Sequence, residues 1–398
     1  MVASSSNEVL GHYTIYERLG RGGMATVNRA EMRGLAGFRK PVALKRLHPH
    51  VAKDPSMVQS LVQEARLASH LHHPNVAQTY DLGIVDDTYF IAMEYVPGPT
   101  LSQLLRQAAA AARPVPIPIA LSILVQVCDA LDYAHNLCDE HGRPLGIIHR
   151  DVSPSNIIIS STGVVKLIDF GIARAADHDR IGTDPGLVKG KLSYMAPECL
   201  RGHVDSRADL FGLGVIAHEM LTGLPLFHAR NHADTMARLR ELPIEPPSRW
   251  NPDVPEDLDD IVLTALQRRP ELRWQNAAAM RTAIMNVMMS LGTPVTNHQV
   301  LEWVEWAYRP EPPREERRLA LVNDVLGEPR RMAAGSGIEL AQELESVMVV
   351  PRPRERPRGS RRTWHPWLLL LLLLLGLAAL FRDDLAGVSR ELQTWYAS

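Results

Sequence analysis

The stretch His149-Arg150-Asp151-Val152-Ser153-Pro154-Ser155-Asn156 sets a carboxylate and a side-chain amide five residues apart. A carboxylate can take a proton from a hydroxyl group, and an amide oxygen can hold Mg²⁺. A second carboxylate, Asp169, follows thirteen residues after Asn156, in Asp169-Phe170-Gly171. The stretch is charged and Pro-interrupted, and it lies between two apolar runs, Leu145-Gly146-Ile147-Ile148 and Ile157-Ile158-Ile159. Asp169 ends a third run, Val164-Val165-Lys166-Leu167-Ile168. Short strands before and after the loop are expected to hold it rigid at the mouth of a cleft.

The elements that must complete such a cleft lie earlier in the chain. Tyr13 to Gly20 reads as a strand running into Leu19-Gly20-Arg21-Gly22-Gly23-Met24-Ala25-Thr26-Val27. Its glycines allow a hairpin to lie close over phosphates and to offer them backbone N–H groups, although such a hairpin alone is more often a plain turn. Val42-Ala43-Leu44-Lys45 alternates like a strand and ends on a lysine, a residue that in isolation is usually solvated. Val58 to Leu71 is a helical run with Glu64 inside it, and Pro74 ends it. The histidines of His70-Leu71-His72-His73 lack a second ligand group and read as loop rather than metal site. Tyr89 to Val96 reads as a buried strand. Leu101 to Ala112 and Ala120 to Asn136 read as helices separated by Pro114, Pro116 and Pro118.

Composition sets the frame. The chain has 398 residues, with 45% hydrophobic and 22% charged residues, which is ordinary for a globular protein of one or two domains. A formal net charge of -2 gives no reason to expect a nucleic-acid partner. Cys128, Cys138 and Cys199 are too scattered for a disulfide framework or a zinc site and read as reduced thiols in a cytoplasmic domain. Met1 to Asn7 are small and polar with no apolar core after them, so no signal peptide is expected.

Taken in order, Lys45, Glu64, His149-Arg150-Asp151, Asn156, Asp169-Phe170-Gly171 and Ala196-Pro197-Glu198 resemble the eukaryotic-like (Hanks-type) serine/threonine protein kinases, over residues 13 to 290. The resemblance implies an α+β, bilobal fold: a small antiparallel β lobe with one key helix, and a larger, mainly helical lobe. It implies ATP and Mg²⁺ as cofactors and protein hydroxyl groups as acceptors. Gly20, Gly22, Gly23 and Val27 would cover the nucleotide phosphates, with Ala25 standing where the family pattern has a third glycine. Lys45 would bind the α- and β-phosphates and pair with Glu64. Ala43 and Ile158 would line the nucleotide pocket, Met93 its back, and Glu94 and Val96 would present backbone groups to the purine edge. Asp151 would accept the hydroxyl proton; Asn156 and Asp169 would hold Mg²⁺. Asp209 would cap the backbone of the catalytic loop, and Arg273 would pair with Glu198. Residues 172 to 195 correspond to the activation segment, with Thr183 and Ser193 as candidate phosphate acceptors and Arg150 as the receiving cation.

Two departures from the family stand together. Ser153 occupies the place, two residues after Asp151, where Ser/Thr kinases usually carry a lysine. Lys191 follows Gly190 where they usually carry a threonine. Lys191 is therefore expected to bring its ammonium to the place a lysine at 153 would fill, and joins Asp151, Lys45, Glu64 and Asn156 as a catalytic candidate.

Beyond the kinase-like stretch, Val295 to Tyr308 is amphipathic, carries Trp303 and Trp306, and is expected to pack on the domain before it. Residues 291–363 read as a linker with short helices, rich in Pro, Arg and Glu from 310 onward. Residues 364–381 hold the uninterrupted apolar run Leu368 to Leu375 with Trp364 and Trp367 before it, and read as a single membrane span. Six arginines between Arg352 and Arg362 precede this run, against Arg382 and Arg390 after it. That asymmetry places the kinase-like domain on the cytoplasmic side of a cell membrane, with 382–398 as a short tail outside.

The reading that follows is a membrane-anchored Ser/Thr kinase that phosphorylates itself and other proteins, with a homodimer as the arrangement for trans-autophosphorylation. Pro154 and the lack of an Ala/Arg-rich catalytic loop favour Ser/Thr over Tyr. The alternative is a membrane-anchored pseudokinase acting as a scaffold by contact alone.

Overall fold

The computed structural model describes residues 8–111, 113–170, 191–202, 204–292 and 294–307. The first lobe is a six-stranded antiparallel sheet in the order β1-β2-β3-β4-β6-β5, with one helix, α1, beside it. Its strands are β1 (Val9–Leu10), β2 (Tyr13–Arg21), β3 (Ala25–Arg33), β4 (Arg39–Leu47), β5 (Thr79–Val85) and β6 (Thr88–Glu94), and α1 spans Pro55–Ala68. The period of two in β4 decides what faces the cleft. Val42 and Leu44 are fully buried with Tyr13, Ile15, Phe90 and Ala92 on one face. Ala43, Lys45 and Leu47 therefore turn to the other, where Leu47 packs with Leu61 and Ala65 of α1. Asp54 caps α1 by accepting from Ser56 N, and Pro55 takes the first helical position, where no N–H is needed.

The second lobe is helical around one large core: α2 (Leu101–Ala110), α3 (Ile117–His135), α4 (Arg207–Thr222), α5 (His232–Glu241), α6 (Glu256–Ala265), α7 (Ala277–Ser290) and α8 (Asn297–Ala307). A small hairpin, β7 (Ile157–Ile159) and β8 (Val165–Leu167), carries the loops of the cleft. Among the described residues, α3 is apolar and long enough to cross a bilayer, yet it is a core helix of the second lobe, with Ala120, Leu121, Ile123, Leu124 and Leu131 buried. The run 364–381, read as a membrane span, lies outside the described residues.

Two expectations change. The apolar run Leu145 to Ile148 forms no strand before the catalytic loop; only Pro144 makes an isolated bridge, to Cys138. Ile147 is buried by packing, Leu145 N donates to Leu137 O and His149 N to a side chain of α4, so no ladder partner is required. The end expected near residue 290 falls inside the packed unit. Helix α8 lies beyond it, and Val300, Trp303, Val304 and Ala307 join the core of the helical lobe. That burial agrees with the amphipathic pattern of Val295 to Tyr308.

The lobes meet at residues 95–100. Gly98 has φ +154°, and a Cβ there would lie 2.0 Å from the Ile159 carbonyl oxygen, so only glycine lets this segment lie against β7. Ser161 N donates to Pro97 O and Ile159 N to Pro99 O, which fastens the connection to the hairpin.

Candidate active site

Lys45 reaches into the cleft from β4 and meets two carboxylates. Its Nζ is 2.8 Å from Glu64 Oε1 on α1 and 3.2 Å from Asp169 Oδ1. Burial alone would lower the lysine pKa, but the Asp169 and Glu64 charges outweigh it and hold it above its ordinary value. The same charge offsets the burial of Asp169 and keeps that carboxyl below the usual range, with Lys191 adding to the effect.

Opposite stands the catalytic loop. Asn156 Nδ2 donates to both the backbone O and Oδ2 of Asp151, at 2.9 and 2.8 Å. Ile168 N donates to Asn156 O, which sets the residue before Asp169 against the loop. His149 is fully buried: its Nδ1 accepts from Asp151 N at 3.2 Å, so the proton belongs on Nε2, which lies 3.0 Å from Ile168 O. Burial pushes the pKa of this imidazole down, in keeping with a neutral ring. Its ring sits 4.5 Å, centroid to centroid, from Phe170.

The loop is held in a strained shape. Arg150 and Asp169, neither of them glycine, have φ of +63° and +54°. Asp209, in the first turn of α4, supports this: its Oδ2 accepts His149 N and its Oδ1 accepts Arg150 N, both at 2.8 Å. His135 Nε2 lies 2.8 Å from Asp209 Oδ2. Burial would raise the Asp209 carboxyl, but the His135 hydrogen bond and charge, with His149, hold it below the usual carboxylate range.

Lys191 opens a 3-10 turn, Lys191–Tyr194, and its Nζ lies 2.5 Å from Asp151 Oδ2. Ser153 is buried, and its hydroxyl shares a hydrogen bond of 3.0 Å with Ser155 Oγ. Ser193, the second candidate phosphate acceptor, is buried in the 3-10 turn and is not presented to solvent. Thr183 lies outside the described residues.

At the nucleotide end, β2 and β3 form the Gly-rich hairpin, with Gly20 opposite Val27 and Gly22 N donating to Ala25 O. Ala25, in place of a third glycine, is buried and keeps this turn. His48, which sequence reasoning did not single out, fastens the hairpin: its N donates to Met24 O, while its ring nitrogens lie 3.1 Å from Gly23 O and 2.9 Å from Thr26 Oγ1. Ala43 and Val96 are buried, and Ile158 sits half-buried on β7, bridged to Thr100. Glu94 N donates to Gln78 O, and its carboxylate binds Lys166 Nζ at 2.9 Å and Gln78 N at 3.1 Å. That leaves the Glu94 carbonyl as the group it could offer a purine.

Residues 13–285 match the model of the protein kinase domain. The chain belongs to the protein kinase family. It is similar to the tyrosine-protein kinase MasK of Myxococcus xanthus, with 41% identity over 275 residues, covering 69% of this chain and 42% of MasK. It is 39% identical over 282 residues to the serine/threonine-protein kinase PknB of Mycolicibacterium smegmatis, covering 69% of this chain and 43% of PknB. The likeness to the serine/threonine-protein kinase PrkC of Bacillus subtilis, 33% over 374 residues, covers 93% of this chain and 52% of PrkC. Among solved structures, the PknI kinase domain of Mycobacterium tuberculosis superposes with a TM-score of 0.54 at 30% identity, over 71% of this chain and 99% of that one. The chain thus spans about half or less of the length of the curated relatives it matches.

Within the kinase domain the structure brings together Lys45, Glu64, Asp151, Asn156, Asp169 and Lys191. It also joins Glu198 to Arg273 through two hydrogen bonds, at 2.5 and 2.6 Å. His135 and His48 carried no sequence signal: each is a histidine whose partner, Asp209 or the glycine hairpin, lies far along the chain.

Proposed function

We propose that this kinase domain transfers the γ-phosphoryl group of ATP, with Mg²⁺, to serine and threonine hydroxyl groups of proteins. The observation that carries the reading is Lys45, held at once by Glu64 and Asp169 and facing the Asp151–Asn156 pair across the cleft. The donor set fits the metal: Mg²⁺ takes hard oxygen ligands and is commonly bound by one or two side chains plus substrate phosphates. Asp169 is held ionised, and Asn156 directs its Nδ2 to Asp151, which leaves its amide oxygen to act as a ligand. Mg²⁺ bound there would offset charge on the phosphate oxygens.

In this reading Asp151 orients the acceptor hydroxyl and takes its proton, and Asn156 keeps the Asp151 carboxylate turned to that task. Lys45 binds the α- and β-phosphates beneath Gly20, Gly22, Gly23 and Val27. Ala43, Val96 and Ile158 enclose the base, with the Glu94 carbonyl at its edge. The apolar run in 364–381 anchors the chain in a membrane through the segment that follows α8, with the kinase domain cytoplasmic and 382–398 outside. A homodimer would let one copy phosphorylate the other.

A second reading concerns the acceptor. The relative MasK is named a tyrosine-protein kinase, whereas PknB and PrkC are named serine/threonine kinases. Pro154 and the form of the catalytic loop favour Ser/Thr. Incubating the purified chain with γ-labelled ATP and Mg²⁺, followed by phosphoamino-acid analysis, decides between them: phosphoserine and phosphothreonine are expected, and phosphotyrosine alone would favour the second reading. Asp151→Asn and Asp169→Asn should each cut incorporation by orders of magnitude in a folded protein. No incorporation by the wild-type chain would favour the pseudokinase scaffold.

A further inference from the structure

We propose that Lys191 is a catalytic residue whose ammonium contacts the γ-phosphoryl oxygens during transfer, so that the positive charge beside the base comes from the turn at 191 and not from the catalytic loop. This inference rests on the phosphoryl-transfer reading above. Its basis is position. Lys191 Nζ is 2.5 Å from Asp151 Oδ2, the same oxygen that accepts Asn156 Nδ2. The transferring phosphoryl group must pass within bonding distance of the hydroxyl that Asp151 holds, so an ammonium on this oxygen stands beside the reacting phosphorus.

The chemistry calls for a cation there. The acceptor oxygen forms a bond to phosphorus while the bond to the β-phosphate oxygen breaks, its electron pair leaving with ADP. The hydroxyl proton goes to Asp151. Lys191 keeps its own protons and stabilises the spread of charge over the phosphoryl oxygens next to a carboxylate that would otherwise repel them. Within the catalytic loop, Ser153 is buried and its hydroxyl is engaged with Ser155, so that position supplies no charge.

The lysine is also well mounted. Leu192 and Ser193 of its turn are buried, and Tyr194 OH donates to Glu219 of α4 at 2.5 Å. Helix α4 also holds the catalytic loop, through Asp209. One helix therefore sets both Asp151 and Lys191, which fixes their separation before any substrate arrives.

The test is a cycle of Lys191→Thr, and Ser153→Lys placed on it, read in two ways. The first is kcat with a protein substrate. Lys191→Thr should lower it about 10²-fold, and the added Ser153→Lys should return at least about a tenth of the wild-type value. The second is calorimetric binding of Mg-ATP against Mg-ADP, which needs no turnover. A contact to the γ-phosphoryl group predicts that Lys191→Thr weakens Mg-ATP about tenfold and leaves Mg-ADP unchanged. Unchanged kcat in Lys191→Thr, or equal weakening of both nucleotides, would overturn the proposal; equal weakening would mark the lysine as merely structural. A wild-type chain without turnover would refute the phosphoryl-transfer reading, while the ATP/ADP comparison would still judge Lys191.

Discussion

Gly212 and Val152 pack so closely that a Cβ on the glycine would lie 2.9 Å from the Val152 carbonyl oxygen. The same Cβ would lie 3.2 Å from Tyr194 O. Both neighbours are backbone, which cannot swing aside as a side chain can. Gly212 is thus where the catalytic loop and the Lys191 turn rest on α4. Gly212→Ala should displace both and lower kcat by about 10²-fold, in line with the cost of an ångström-scale misplacement. Mg-ADP affinity should stay near that of the wild type, because Lys45 and the glycine hairpin are remote from the change. Calorimetry beside steady-state kinetics checks this; normal turnover would show that the two segments adapt independently.

Acid sensitivity should centre on Asp209. Its folded pKa is depressed, so the folded state binds fewer protons than the unfolded chain as pH nears the carboxylate range. The stability it contributes is complete above its unfolded pKa, about 3.9, and is lost as pH falls through the lower folded value. Asp209→Asn should be less stable at neutral pH and show a flatter decline below about pH 4. Urea titrations at several pH values measure the slope, and parallel curves for the two proteins would contradict the assignment.

The Glu198–Arg273 pair is a stability device. Arg273 is buried, and besides its two bonds to Glu198 it donates to the carbonyls of Gln267, Arg268 and Arg207. Arg273→Ala leaves a half-buried carboxylate and several carbonyls without their donor and should cost about 3 kcal/mol. Replacing both partners with methionine should cost less than removing the arginine alone. Denaturant midpoints of the three variants give the comparison.

The proposed anchor predicts that the full chain sediments with membranes and that a chain ending at Arg362 does not. Protease added outside intact cells should reach only the tail after Phe381. Full-length protein in the soluble fraction would remove the span, and cleavage within the kinase domain would reverse the orientation.

Much of the site was legible because the chemistry sits in short motifs whose spacing survives in sequence: Asp151 with Asn156, and Asp169 with Phe170. The alternation around Lys45 was enough to aim it, since β4 is buried on one face and open to the cleft on the other. Two kinds of feature were not legible. Leu145 to Ile148 looks like a strand because apolar runs are demanded by burial as well as by ladders, and periodicity cannot separate the two. His135 and His48 act through contacts 74 and 25 residues away, on Asp209 and Gly23, and a lone histidine announces no partner. An ammonium from Lys191 near the catalytic loop was expected from its place after Gly190, but the hydroxyl pair of Ser153 and Ser155 and the mounting on α4 follow only from the fold.

The ion pair between Glu94 and Lys166 joins the last strand of the small lobe to β8 beneath the hinge. Swinging the lobes apart must part those charges, so the pair behaves as a latch on the exit path of spent nucleotide. Its side chains are 26% and 15% exposed, close enough to solvent for mobile ions to weaken their attraction. ADP should therefore leave faster as ionic strength rises, and the dependence should fade in Lys166→Met. Where product departure limits the cycle, turnover itself would then follow the salt around the protein, although no charge in that latch touches the phosphates.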